Sequence, residues 1–172
     1  MHKVLLIASL IILFDVQAAL AADPIGYVKT ATGVTTVIRA GSTKPLKVGD
    51  AVFEDDTVKT GLESSLGVTM KDGTALSAGP ETELLLDEYA YAPRKNDLGF
   101  TARLSQGTLE FVSGMLGKLA PESVSIETPT GVIGMRGTHF LVRVDPGQKF
   151  PDRPAAGRTG SKAGSPARTT YR

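Results

Sequence analysis

The chain has 172 residues, 41% of them hydrophobic, with a formal net charge of +1 and neither cysteine nor tryptophan. Disulfides and cysteine-ligated zinc are excluded, and the core has to be built from Val, Leu, Ile and Ala. The near-neutral total hides a division, because Ala22 to Asp145 carries 12 Lys+Arg against 16 Asp+Glu, whereas Pro146 to Arg172 carries 6 basic residues against Asp152 alone. An acidic body argues against a nucleic-acid partner, which usually meets a basic face. The opposite signs suggest an ordered body followed by a separate tail.

The first elements read as an export signal. Lys3 precedes an apolar run from Val4 to Phe14 interrupted only by Ser9, and small residues end in Ala19-Leu20-Ala21. A charged start, a short apolar core and an A-x-A site are the parts of a secretory signal peptide, so residues 1–21 are expected to form a signal helix cut between Ala21 and Ala22. The alternative is an uncleaved anchor, the one route by which the chain would touch a membrane. The run is shorter than the ~20 apolar residues of a spanning helix, and lengthening it would put Asp15 and Gln17 in lipid. A mature chain of this size fits one domain, and the expected location is the bacterial periplasm or the exterior.

The body, residues 22–145, reads as short strands separated by Gly, Pro and Asp. Gly33 to Arg39 is rich in β-branched residues, whose stiff χ1 suits a pleated surface. Pro45 to Asp50 alternates apolar and polar and turns at Gly49-Asp50. Leu66 to Lys71 alternates again and meets Asp72-Gly73, a hairpin signal because both turn positions of the favoured hairpin turn prefer φ > 0. Thr74 to Ala78 leaves that turn, Gly79-Pro80 breaks it, and Thr82 to Asp87 comes next. After a loop around Pro93 to Gly99 come Phe100–Leu104, Thr108–Val112, Ser123–Glu127 and Thr138–Val144. No long stretch beyond the signal has a 3.6-residue apolar period, so the class is all-β. A solenoid, a sandwich and a barrel all remain open. Gly-Thr recurs at Gly73, Gly107 and Gly137, 34 and 30 residues apart. Stacked β-rungs would leave such a recurrence, and so would a plain preference for Gly-Thr at the start of a strand.

Candidate chemistry is sparse. Beyond the signal the one histidine is His139, on a strand whose alternation puts Phe140, Val142 and Val144 on one face and His139, Leu141 and Arg143 on the other. A lone strand histidine is expected at a surface or interface. No Gly-x-Ser-x-Gly elbow is present. Gly131-Val132-Ile133-Gly134-Met135-Arg136-Gly137 has neither dinucleotide-loop spacing nor a following Lys-Ser/Thr, so its glycines read as strand breaks and tight turns. Glu54-Asp55-Asp56 lacks the alternating ligands of a calcium loop and reads as a solvated turn. No catalytic residue, cofactor site or metal site is expected.

The order of several fragments resembles a known family. Val58-Lys59-Thr60-Gly61, Lys71-Asp72-Gly73-Thr74-Ala75-Leu76 with Gly79-Pro80, and Leu104 to Leu109 fall as they do in FecR domains. Glu127 to Phe140 is similar to that family's Thr-Pro-x-Gly…Arg-Gly-Thr-x-Phe signature, here Thr128, Pro129, Gly131, Arg136, Gly137, Thr138 and Phe140. The resemblance runs from about Gly33 to Val144. It implies a periplasmic all-β domain, solenoid-like, that binds a protein partner in the cell envelope and has no catalytic residues. The best-understood members relay a signal from an outer-membrane transporter to a sigma factor through a cytosolic domain and a spanning helix, and only 21 residues precede the expected cleavage site here. A stand-alone exported sensory or interaction module fits best, with a structural, surface-associated envelope component as the alternative. Pro146 to Arg172 contains no Ile, Leu, Val or Met, so it is expected to be a disordered basic tail. It either touches anionic envelope polymers or arises from a frameshift near Asp145 to Gly147.

Overall fold

The computed structural model describes residues 22–135 and 138–151. The signal segment, Arg136, Gly137 and most of the basic tail lie outside the described residues. Twelve strands are present: β1 Gly26–Thr32, β2 Thr35–Arg39, β3 Ser42–Pro45, β4 Ala51–Val52, β5 Thr57–Thr60, β6 Ser65–Met70, β7 Ala75–Ala78, β8 Glu83–Ala92, β9 Asp97–Val112, β10 Val124–Thr128, β11 Gly131–Gly134 and β12 His139–Val144. A one-turn helix, α1 Leu116–Leu119, and two 3-10 turns make up the rest of the secondary structure among the described residues. The class is all-β, as expected.

Several segments differ from their sequence reading, among them the loop around Pro93 to Gly99, whose last three residues open β9. Pro45 to Asp50 is a turn rather than a strand: Pro45 ends the edge strand β3, and the Asp50 carboxylate accepts the Lys47 N–H at 2.8 Å. Proline has no N–H to give a ladder, so a strand is favoured to stop there. Gly131–Gly134, read as breaks, is strand β11. Phe100–Leu104 and Thr108–Val112 are two parts of one 16-residue strand, β9. Gly107 makes that continuity possible, because it takes φ +92 in mid-strand, and a Cβ there would overlap Thr82. Only glycine satisfies both demands.

β9 organises the sheet. On one flank β8 pairs antiparallel with Asp97–Gln106 and β7 with Leu109–Val112. β7 and β8 thus form one line, broken at Gly79-Pro80. From β8 the sheet continues to β5, β2 and β3, and from β7 to β6, β1 and β4. On the other flank β10 runs parallel along Phe100–Arg103 and β12 antiparallel along Gly107–Val112, with β11 beyond β10. The result is a curled, essentially antiparallel half-barrel. A solenoid would stack parallel rungs, and β9–β10 is the one parallel ladder among the described strands. A sandwich of two separate sheets is not established by the ladders either, since both arms join through β9. The Gly-Thr recurrence marks two different structures, a turn at Gly73 and a positive-φ position inside the long strand β9 at Gly107.

The apolar face of both arms forms one core. Leu84, Leu86, Phe100, Ala102, Leu104 and Ile126 come from one arm, and Val28, Val68, Leu76, Leu109 and Phe111 from the other. Each such large side chain contributes about 1.5–3 kcal/mol of burial. Phe100, Phe111 and Phe140 form a ring series with centroids 5.9 and 5.0 Å apart. Where the arms diverge, threonines tie the corner. Thr82 Oγ1 accepts the Thr108 N–H at 3.0 Å and donates to the Thr108 carbonyl at 3.1 Å, while Thr60 Oγ1 accepts the Thr82 N–H at 2.9 Å.

Candidate interaction surface

The buried charges serve the fold. Asp56, read as part of a solvated turn, is fully buried: Arg39 grips it through Nε–Oδ1 and Nη2–Oδ2, both 2.7 Å, and the Phe53 N–H donates to Oδ2 at 2.8 Å. Arg39 also lies over the Phe53 ring at 4.2 Å. Its hydrogen bond with Asp56 outweighs the opposing cost of burial and raises the Arg39 pKa, holding the guanidinium charged. Both Asp56 oxygens are therefore engaged by the chain's own donors. Of the same triplet, Glu54 is raised by burial and then by the neighbouring Asp55. The sequence hides this fork because its arginine comes from β2, 17 residues away.

The family-signature residues form a hairpin tip. Thr128 and Gly131 face each other in the β10–β11 register, with Pro129 and Thr130 between them. Proline presets φ at the first turn position. The buried Thr128 hydroxyl donates to the Gly131 carbonyl at 2.8 Å and accepts its N–H at 3.2 Å. Thr128 and Pro129 are thus turn-forming residues. Phe140, stacked on Phe111, is half-buried against the core, and the carbonyl of exposed Thr138 accepts the Ser113 N–H at 2.8 Å. Arg136 and Gly137 fall outside the described residues. At the base of the hairpin Arg103 joins three strands, contacting Asp87 at 2.8 Å and Glu127 at 2.9 Å; the second contact is an ion pair rather than an aligned hydrogen bond. An open cleft of about 370 Å³ lies between this hairpin and Phe150-Pro151, with Arg103, Pro129 and Val132 in its walls.

This flank of β9 carries two strands whose outer edges have no partner among the described residues, β11 and β12. Val132 on β11 is 67% exposed and Leu141 on β12 is 68% exposed. Gly131 and Gly134 have φ in the ordinary range, and a Cβ at either would meet nothing within 4 Å. Neither conformation nor packing among the described residues calls for glycine there. His139 lies on the outer face of β12, as its alternation predicts, with Nε2 2.8 Å from Glu110 Oε1. The arrangement offers unpaired backbone donors and acceptors beside exposed aliphatic side chains, the ingredients of strand addition.

A family model described as FecR protein matches residues 56–149. No curated protein and no solved structure matches the chain. The match spans β5 to β12, including the Thr-Pro-Thr-Gly hairpin and both free edges, and covers more than half of the sequence. The chain therefore belongs to the FecR protein family.

Proposed function

We propose that the chain is an exported, non-catalytic interaction module of the bacterial envelope, acting in periplasmic signalling through the free flank of β9. The observation that carries this reading is the pair of unpartnered strand edges on β11 and β12 beside the exposed Val132 and Leu141. An extended segment of an envelope protein adds to such an edge through main-chain hydrogen bonds, with side-chain pockets setting specificity. The cleft beside β11 supplies one such pocket, apolar at Pro129, Val132 and Phe150 and charged at Arg103. Glycines at both ends of β11 leave room for a close backbone approach. Export rests on the Ala19-Leu20-Ala21 site, and mass spectrometry of the exported protein is expected to find Ala22 at the N terminus.

The test is capture from envelope extracts with the exported protein as bait. Val132→Asp is expected to abolish capture of the partner. Val34→Asp, at a position 69% exposed but away from this flank, is expected to leave it intact. Equal capture by both variants, or equal loss, would remove the flank from the reading.

A further inference from the structure

We infer that β12 pairs with β12 of a second copy, antiparallel about a two-fold axis through Leu141, so that two sheets join edge to edge. This deepens the interaction reading by naming one partner of the flank. The free edges differ in how well they are protected. β3 is fully exposed and ends in Lys44-Pro45, β4 has two residues, and β11 has four with glycine at each end. Lysine, proline and shortness are the usual ways of blunting an edge. β12 is the longest of them, six residues from His139 to Val144 with neither lysine nor proline, and its one fixed charge, Arg143, is paired with Asp145 at 3.2 Å.

Backbone directions on β12 are fixed by its ladder. The Ser113 N–H bonds to the Thr138 carbonyl on this flank, whereas the Thr108 carbonyl accepts the Gly79 N–H on the opposite flank. Odd residues of this part of β9 thus point their backbone groups at β12, and even residues of β12 point back. His139, Leu141 and Arg143 direct their N–H and C=O groups outward. A two-fold axis at Leu141 is the register that uses all three. It makes hydrogen-bonded pairs of Leu141 with Leu141 of the second copy and of His139 with its Arg143, each pair exchanging two bonds. An axis at Arg143 would oppose two arginines, which destabilises a sheet. An axis at His139 would leave Arg143 unpaired. Side chains agree with the Leu141 register. The exposed leucines cover each other, and each Arg143 comes beside the other copy's His139–Glu110 contact, placing a cation near a carboxylate. The interface is self-complementary, as a two-fold dimer requires.

The chain has no cysteine, so single cysteines on this outer face report the register directly. A hydrogen-bonded antiparallel pair places its Cα atoms about 5.5 Å apart, within disulfide range. Leu141→Cys in the exported protein is expected to give a disulfide dimer as its main product under mild oxidation. His139→Cys and Arg143→Cys are each expected to cross-link no faster than a Val34→Cys control, while an equal mixture of the two does cross-link. Analytical ultracentrifugation is expected to show a reversible dimer, weakened about tenfold or more by Leu141→Lys. A protein that stays monomeric across the concentration series, or Leu141→Cys linking at the control rate, overturns the pairing. Partner capture that still depends on Val132 in such a monomer would overturn self-pairing alone and leave the interaction module standing.

Discussion

The β6–β7 turn at Asp72-Gly73 and the β10–β11 turn at Thr128 to Gly131 both reverse the chain between antiparallel strands, in opposite surroundings. Asp72 is buried, and its carboxylate accepts the Thr74 N–H at 3.2 Å, the Thr74 hydroxyl at 2.7 Å and the Leu116 N–H of α1 at 3.1 Å. Its backbone carbonyl takes the Met115 N–H, and its own N–H donates to the Tyr89 hydroxyl at 2.9 Å. Gly114 passes so close that a Cβ would meet the backbone of Asp72 to Thr74, with Gly73 C at 2.6 Å. The Thr128 turn satisfies itself through one hydroxyl, and the glycines of β11 face open space. One turn is fastened to the body by strand, helix and ring. The other is held by its own hydroxyl and left accessible.

Substitutions at the two turns sharpen this contrast. Gly114→Ala is expected to have the largest effect, about 3 kcal/mol or more, because the neighbours it displaces are backbone atoms with no rotamer to yield. Urea denaturation would measure it, and a near-native midpoint would mean the approach of Gly114 is looser than described. Asp72→Ala ranks next, at about 2–3 kcal/mol, since it strands buried donors on Thr74 and Leu116; the loss is read in the same titration. Tyr89→Phe should cost about 1 kcal/mol through the lost bond to Asp72, and it carries a pH signature. Burial, then the Asp72 charge, raises the Tyr89 pKa above its ordinary value of about 10. The folded state therefore holds this proton more tightly than the unfolded state. That contribution is complete below about pH 10 and is lost as pH rises through the raised value. Alkaline melting curves of Tyr89→Phe should accordingly fall less steeply than those of the parent.

At the other turn, Thr128→Val should cost about 1 kcal/mol, the worth of one clasping hydroxyl, measured as a shift in melting temperature. Gly134→Ala should change stability by less than about 0.5 kcal/mol. If its glycine serves a partner's approach, envelope capture should fall while the melting temperature stays put. A large stability loss from Gly134→Ala would erase the distinction between the turns.

Much of the architecture was legible in the residues. β-branched runs and alternation located β2, β6, β7 and β12, and the grouping of Phe140, Val142 and Val144 on one face of β12 matches its burial. The Asp72-Gly73 hairpin was legible too, although its turn differs. Gly73 alone is left-handed, at φ +86, and the Gly73 N–H reaches back to the Met70 carbonyl. Asp72 is spared a strained φ and its carboxylate turns inward. β1, β5 and β11 escaped notice because short segments with Thr, Lys and Gly carry little apolar period, and their strand state comes from neighbours that pair with them. Of the interaction surface, the Thr-Pro-Thr-Gly tip was visible as a family signature. Its openness was not, because local sequence cannot say which edge of a strand lacks a neighbour.

The division reflects the range of the forces. Alternation, β-branching and turn residues act within a few positions along the chain, so an all-β class, the two-faced division of the clearest strands and the family were legible from the residues alone. Ladder order, the single long β9, the Arg39–Asp56 fork and the free flank depend on contacts between residues tens of positions apart. Those contacts close only when the two arms share one core. The tertiary structure alone decided that the sheet curls around β9, and that β11 and β12 are left with an edge to offer.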